Sequence, residues 1–431
     1  MTSWKTIPAD GYDVAVVGGG AAGMTAAIAA ARTGAKVVAL ERGDRPGKKI
    51  LMTGNGKCNL GNRDLQPSCY YSDNMAMAAS VLERFGTEET IAFFASLGLM
   101  VRERRGYLYP VSEQAAVVLD VLRYGLEREG ITVLTQAFVQ EISIHRQGYL
   151  LKLQNGDRVW ARRVILACGG QAAPKTGSDG SGYELARFLG HDVISPVPAL
   201  VQLHCSEKYC KALAGVRAEG AVRICLDEDG KADSLQDCIC REAGEIQFTE
   251  YGISGIPVFQ LSGSVNQLLA QGRRLRAEID FFPQYGEKDY GQLCRQRLEN
   301  LKGRTIETFF TGMLHKKIMN VCIRQAGLSP EQEADGVDRQ RLRQVFALCR
   351  KLPFTITGSH PFDSAQVCRG GVSLQEVDSL LQSKCSPGLY LAGEVLNVDG
   401  RCGGYNLQWA WASGYIAGEA AGLACQTEKG Q

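Results

Sequence analysis

The stretch YDVAVVGGGAAGMTAAIAAARTGAKVVALE, residues 12–41, decides the fold. Tyr12–Val17 is an unbroken apolar run, the mark of a strand buried on both faces of a parallel sheet. Gly18–Gly23 is a turn. Ala21–Thr33 is an alanine-rich helix, stopped at Gly34. Lys36–Leu40 is a second apolar strand, so the stretch is one βαβ unit with a right-handed crossover. The spacing Gly18-x-Gly20-x-x-Gly23 gives each glycine a task. Gly18 permits the tight turn, Gly20 lets a pyrophosphate approach the backbone, and Gly23 lets helix pack on strand. The helix N-terminus offers unpaired N–H groups to phosphate. Glu41, ending the second strand, is an acceptor for both ribose hydroxyls of an adenosine and repels a 2′-phosphate. These features predict a dinucleotide site.

Beyond Glu41, residues 45–62 are rich in Gly, Lys and Asn with little periodicity. Met75–Gly98 carries helical spacing. Gln114–Gly130 is an amphipathic helix with Val117, Val118, Val121, Leu122 and Leu126 on its apolar face. Ile131–Leu134 adds a strand. Phe138–Ile144, Tyr149–Leu153 and Arg158–Trp160 alternate as a small meander, and Arg163–Ala167 returns to the parallel sheet. From about His191 to Arg276 the texture is short strands, cysteines and turns, and Lys288–Lys351 is charged and helical. From Gly388 the α/β texture resumes: Leu389–Ala392 is a strand, and a last helix runs from about Asn406 to Leu423.

Composition narrows the class. Hydrophobic residues make up 45% of the chain and charged residues 22%, with a net charge of +2, so global charge singles out no polyanionic partner. Glycine is abundant, 50 residues where average usage gives about 30. The excess clusters beside strands, where backbone must approach something closely. No signal peptide and no run of about 18 apolar residues is visible, so no membrane segment is expected. Fifteen scattered cysteines fit a reducing cytoplasm. Cys205, Cys210, Cys238 and Cys240 have poor zinc spacing and no His pair, so no metal is expected. The sequence points to no stable protein partner.

The far end of the chain selects the nucleotide. A strand ending Ala392-Gly393-Glu394, then the Gly-rich return Asp399–Gly404 and a helix opening at Asn406–Gln408, suits a ribityl chain and a flavin ring. A plain NAD site needs no such segment, so FAD is the expected cofactor.

Five stretches carry a family resemblance: GGGAAG (18–23), KKILMTGNGKCNLGN (48–62), ACGGQAAPKTGSDGSGYELARFLGH (167–191), GEIQFTEYGISGIPVFQLS (244–262) and GLYLAGEVLNVDGRCGGYNLQWAWASGYIAG (388–418). The chain resembles the HI0933-like (YhiN) flavoproteins, a family that includes BaiN-type reductases, aminoacetone oxidase and RdsA-type ribosomal-RNA dihydrouridine synthases. The resemblance implies an α/β fold with a discontinuous Rossmann-like FAD-binding domain (1–190 and 366–431). An inserted β-barrel-like domain (191–285 and about 350–365) and a helical cap (286–349) complete it. It also implies FAD contacts from Gly18, Gly20, Ala22, Gly23, Glu41, Arg42, Lys48, Thr53, Gly54, Asn55, Gly56, Lys57, Cys58, Asn59 and Val139. Further contacts are implied from Ala167, Cys168, Gly169, Gly170, Gly393, Glu394, Gly404, Asn406, Leu407 and Gln408. Cys368-Arg369 departs from the family pattern, which has small or hydroxyl residues before Gly370-Gly371.

Three residues are candidates for chemistry. Cys58 sits in a Gly-rich loop with Lys57 beside it to lower its pKa; simple packing in a crowded turn is the equal alternative. Tyr405 precedes the last helix, as an acid or as a packed phenol. Arg369 is a candidate for an anionic or carbonyl group, or for a surface ion pair. His204 and His360 are possible acids with nothing to bring them to a flavin. The next cysteine after Cys58 is Cys69, which disfavours a dithiol reductase. With one GxGxxG, NAD(P)H is expected as a transient electron donor. The leading expectation is reduction of an activated C=C bond in an enone-like small molecule. The alternatives are a dihydrouridine synthase on RNA and an amine oxidase using oxygen. Basic stretches Arg102–Arg105, Arg273–Arg276, Lys316-Lys317 and Arg339–Arg350 are either phosphate contacts or solvated faces.

Overall fold

The computed structural model describes residues 11–227, 238–299 and 303–429. Residues 1–10, 228–237, 300–302 and 430–431 lie outside the described residues; they fall in the expected FAD-binding, inserted, cap and FAD-binding segments respectively. The chain forms two compact units. One runs through Val197 and resumes at Phe362; the other is Pro198–Pro361.

The first unit is built on a seven-stranded sheet. Strand β1 is Tyr12–Val17, β2 Val37–Leu40, β3 Thr132–Leu134, β4 Val139–His145, β5 Gly148–Leu153, β6 Arg158–Leu166 and β7 Leu389–Leu391. The order is β3-β2-β1-β6-β5-β4, with β7 also paired to β6. Strands β3, β2, β1, β6 and β7 run parallel. β1 and β2 are buried along their whole length, as their unbroken apolar runs require.

One difference from the sequence reading lies in β6. Arg158–Trp160 and Arg163–Ala167 read as separate strands because Arg162 and Arg163 interrupt the apolar pattern. The structure makes them one strand that changes neighbours. Arg158–Ala161 pair antiparallel with β5, and from Ala161 onward the strand pairs parallel with β1. The meander is thereby part of the main sheet. Residues 75–98 likewise form two helices, Met75–Arg84 and Thr87–Ser96. The basic stretch Arg102–Arg105 belongs to a hairpin of Val101–Arg104 and Tyr107–Pro110.

Helix α1, Ala21–Arg32, lies beside the last helix, α2, Tyr405–Lys429. A Cβ on Gly414 would stand 2.4 Å from the carbonyl oxygen of Ala22, and one on Gly418 2.2 Å from that of Ala26. At Gly422 it would meet Thr33 Oγ1 at 2.3 Å and the Ala30 carbonyl at 2.9 Å. Residues four apart on a helix share a face, so these glycines form one flat stripe against the alanines of α1.

The second unit holds a closed antiparallel barrel, in the order Leu203–Cys205, Gly252–Ser254, Cys238–Thr249, Arg217–Leu226, Leu275–Asp280 and Leu352–Ser359. Closure leaves no exposed strand edge. Helix Ile256–Ala270 follows its second strand, and helices Glu287–Leu298, Ile306–Phe310, Lys316–Gln325 and Arg339–Leu348 precede its last. The fold is thus α/β with a Rossmann-type unit, a barrel and helices. No helix among the described residues is long and apolar enough to cross a membrane.

The stripe makes a stability prediction. Gly418→Val drives a side chain into the α1 backbone and should cost at least about 1–3 kcal/mol. Leu423→Ala, at an exposed position of the same helix, should stay within about 0.5 kcal/mol. Urea unfolding of both variants checks the contrast; equal losses would refute the close approach.

Candidate functional site

A cleft partly open to solvent is lined by Val17, Leu40, Ala167 and Ala392, at or just past the carboxyl ends of β1, β2, β6 and β7. Open parallel sheets bind ligands at this edge. Gly18–Ala22 also line it, so the N-terminus of α1 opens into the cleft. Gly18 takes φ +107°, and a Cβ there would strike the Ala167 carbonyl at 2.4 Å. A Cβ on Gly23 would sit 1.9 Å from the Gly18 carbonyl oxygen, which fixes the helix tightly against the turn. A Cβ on Gly20 would meet nothing within 4 Å. Helix α1 has no side-chain N-cap and no acid in its first turn. Its positive end is therefore left for a ligand.

Glu41 stands at the end of β2, held by two amides. Its Oε2 accepts from Gly19 N at 2.9 Å and its Oε1 from Gly43 N at 2.6 Å. Arg42 pairs with Asp179 and lies over the Phe138 ring, 4.8 Å from its centroid. Phe138 and Val139 line the same wall. Lys48 lines it too, with its ammonium 2.6 Å from Asp44.

More of the lining comes from the C-terminal segment: Gly393, Glu394, Asn406, Leu407, Trp409 and Ala410. Glu394 is held twice. Lys49 Nζ meets its Oε2 at 2.7 Å, and the Cys368 amide donates to its Oε1 at 2.8 Å. Gly393 donates to Ser413 Oγ at 2.9 Å and accepts from Trp409 Nε1 at 3.1 Å. Asn406 closes the preceding turn, exchanging hydrogen bonds with Gly400 N and O. Lys49, Phe138, Ser178 and Trp409 line the cleft without having been singled out as cofactor contacts. Lys49 carried a signal, since the doublet Lys48-Lys49 offered two equivalent choices.

These residues fit FAD. An open helix N-terminus suits a diphosphate, a pinned carboxylate suits ribose, and the apolar Leu407, Trp409 and Ala410 suit a ring. Asn59 Oδ1 is buried without a hydrogen-bond partner among the described residues.

The expected contacts divide between the cleft lining and the residues around it. Ala167, Cys168 and Gly169 line the cleft, as does Thr53 of the 48–59 loop. Gly54, Asn55, Gly56, Cys58 and Asn59 are outside its lining. The loop turns back on itself after Thr53, with Lys57 N bonded to Gly54 O and Cys58 N to Thr53 O. Gly404 is outside as well; it abuts Asn59 Oδ1 and Gly61. Gln408 is on the far side of α2, where Nε2 donates to the carbonyls of Phe85 and Gly86, both at 3.1 Å.

The three candidates for chemistry are all packed. Cys58 is fully buried, and burial pushes its thiol up to about 12. Lys57 does not lower it; its ammonium pairs with Glu113 at 2.8 Å. Cys168 is likewise pushed up to about 12 by burial, with Glu41 and Asp179 adding to the effect. Tyr405 is buried edge-on to Tyr70, ring centroids 5.6 Å apart, and its phenol is pushed up by burial and by Cys69. Arg369 is not a surface residue. It is buried, bonded through Nε and Nη2 to Asp399 at 2.9–3.2 Å, and lies 4.0 Å from the Tyr71 ring centroid. Burial raises the Asp399 carboxyl although Arg369 pulls it down. Elsewhere in this unit, His191 is bonded at Nδ1 to Glu376 and at Nε2 to Ser383.

The Arg369–Asp399 pair predicts an asymmetry. Arg369→Met alone strands a buried carboxylate and should cost about 3–5 kcal/mol, whereas Arg369→Met with Asp399→Leu should recover most of that loss. Urea titration of both variants measures it, and an undisturbed single variant would refute the pairing.

A family profile described as HI0933-like protein Rossmann domain matches residues 12–420. The chain is 41% identical to the 3-dehydro-bile acid delta(4,6)-reductase of Clostridium scindens, over 95% of this chain and 98% of that one. It is 28% identical to the ribosomal RNA dihydrouridine synthase of Haemophilus influenzae, over 93% and 96%. A protein of the same description from Escherichia coli is 28% identical over 95% and 97%. With its βαβ turn, its cleft and a match spanning nearly its whole length, the chain belongs to the HI0933-like family.

Proposed function

We propose that the chain is an FAD-dependent reductase that saturates an activated C=C bond in an enone-like small molecule, such as a bile-acid intermediate, with electrons drawn from NAD(P)H. The observation that carries this reading is the 41% identity to a bile-acid delta(4,6)-reductase along both chains, together with a cleft whose residues fit FAD. When bound, FAD supplies hydride transfer to one carbon of the double bond. The chain's own residues bind and orient. Gly18, Gly20, Ala22 and Gly23 bring the α1 N-terminus to the diphosphate. Glu41 receives the ribose hydroxyls, Arg42 and Val139 flank the adenine end, and Lys48, Thr53, Ala167, Cys168 and Gly169 line the middle. Gly393, Glu394, Asn406 and Leu407 hold the ring end. In this reading Cys58, Tyr405 and Arg369 position the loop, the start of α2 and the Val398–Gly400 strand. Their burial, and the raised pKa values of Cys58 and Tyr405, suit packing better than proton delivery.

A ribosomal-RNA dihydrouridine synthase is the second reading, favoured by the 28% identities. The uracil ring presents the same activated double bond. The basic stretches give it little support. Arg102 pairs with Glu113, Arg276 with Glu278, Lys316 with Glu307 and Arg350 with Asp280. An amine oxidase passing electrons to oxygen is a weaker third.

Two measurements test the proposal. Glu41→Ala should weaken FAD binding about tenfold or more, because hydrogen bonds to a charged group are worth about 1.5–3 kcal/mol each; flavin absorbance during reconstitution reads it. Anaerobic stopped-flow should show enzyme reduced by NADH or NADPH reoxidising faster with a steroid enone than with a uridine-containing RNA, an amine-derived imine or oxygen. Faster reoxidation by RNA would move the assignment to the second reading. No acceptor better than oxygen would end the reductase proposal.

A further inference from the structure

The second unit carries two cysteines directly opposite one another on neighbouring barrel strands. Arg217–Leu226 and Cys238–Thr249 pair antiparallel, with Ile224 opposite Cys240 and Cys225 opposite Cys238; the register shifts between the two pairs, passing over Ile239. Ile224 belongs to the barrel core and Cys240 packs against it. Alternation along the strand therefore turns Cys225 to the other face, and its partner Cys238 with it. Opposed residues of an antiparallel ladder have Cα atoms about 4.5–5.5 Å apart. Disulfides span Cα separations of about 4.4–6.8 Å.

The two thiols differ in access. Cys225 is buried, and Cys238 is half-buried. Across the other edge of its strand Cys225 faces Arg276, and Arg223 faces Glu278. Both guanidiniums pair with that one carboxylate, so the dithiol sits beside two cations and one anion. Burial pushes Cys225 up to about 11. No disulfide joins any of the fifteen cysteines, and others lie close together, but differently. Cys322 and Cys349 are both fully buried in the core of the second unit, where no oxidant reaches them.

We propose that Cys225 and Cys238 are a redox modification site, closing to a reversible cross-strand disulfide under hydrogen peroxide. The more accessible thiol reacts first. Cys238 sulfur attacks one peroxide oxygen; an S–O bond forms, the O–O bond breaks, and one water leaves with the thiol proton. Cys225 sulfur then attacks the Cys238 sulfenic acid; the S–S bond forms, the S–O bond breaks, and the second water leaves. Two thiols and one hydrogen peroxide give one disulfide and two waters. A small dithiol reverses the reaction by exchange. The bond staples the hairpin ends on a barrel whose strands are already paired, so the fold need not change for the switch to form.

The test uses the full-length FAD-loaded protein. It is exposed to a few equivalents of hydrogen peroxide, quenched with an alkylating reagent and mapped by peptide mass spectrometry. The expected result is a cross-linked pair of peptides carrying Cys225 and Cys238, lighter by two hydrogens and released by dithiothreitol, with Cys322 and Cys349 alkylated only after denaturation. Cys225→Ser should instead trap Cys238 as a sulfenic acid that a dimedone probe labels, a readout that packing alone would not produce. Conversion of Cys238 to the sulfinic acid while Cys225 remains a free thiol would overturn the proposal. So would a cross-link joining either residue to some other cysteine.

Discussion

The glycine stripe of α2 against the alanines of α1 is the contact on which the first unit depends. Gly414, Gly418 and Gly422 leave no room for a side chain, so the two helix backbones touch. That contact joins the first helix of the chain to its last. It brings Asn406, Leu407, Trp409 and Ala410 into the same cleft lining as Gly18–Ala22. Without it, the helix N-terminus and the C-terminal wall would each be half of a site. The alanine content of α1 therefore has two causes. Alanine favours helix, and in this packing only alanine or glycine is small enough.

Electrostatics in the cleft follow from the same closure. Two carboxylates, Glu41 and Glu394, line it, and neither is left unpartnered. Glu41 is received by the amides of Gly19 and Gly43, and Glu394 by Lys49 and the Cys368 amide. Each is thereby fixed in direction, which a binding group requires more than raw charge. The Cys368 contact is made by a backbone N–H. This hydrogen bond therefore does not depend on the side chain at 368. That side chain's sulfur accepts from Gln171 N at 3.0 Å.

Much of the fold was legible because its signals are local. β1, the glycine turn, α1 and β2 lie within thirty consecutive residues, and their hydrophobic period changes from strand to helix where the turn glycines stand. Glu41, Gly18 and Gly20 could be placed for the same reason. The C-terminal wall was legible as a segment but not residue by residue. Asn406 and Gln408 are two apart on a helix and so face different directions. Asn406 borders the cleft while Gln408 ties α2 to the Phe85–Gly86 turn. The same limit applies in the 48–59 loop. Three successive residues, Gly54, Asn55 and Gly56, take positive φ, so the loop reverses there. No periodicity encodes which side of that reversal meets the ligand.

The candidates for chemistry were the least legible, and the reason is physical. Sequence marks Cys58, Tyr405 and Arg369 by residue type and by neighbours, but reactivity is set by solvent access and by the partner each group finds in the fold. Lys57 adjoins Cys58 in the chain yet spends its charge on Glu113. Arg369 has no acid beside it in the chain, yet it finds Asp399 thirty residues on and leaves solvent with it. A thiol pushed up to about 12 stays protonated near neutral pH and is a poor acid as well as a poor nucleophile. In the first unit, then, the protein's contribution is geometric. It supplies a helix end and two fixed carboxylates, and leaves electron transfer to the group it holds.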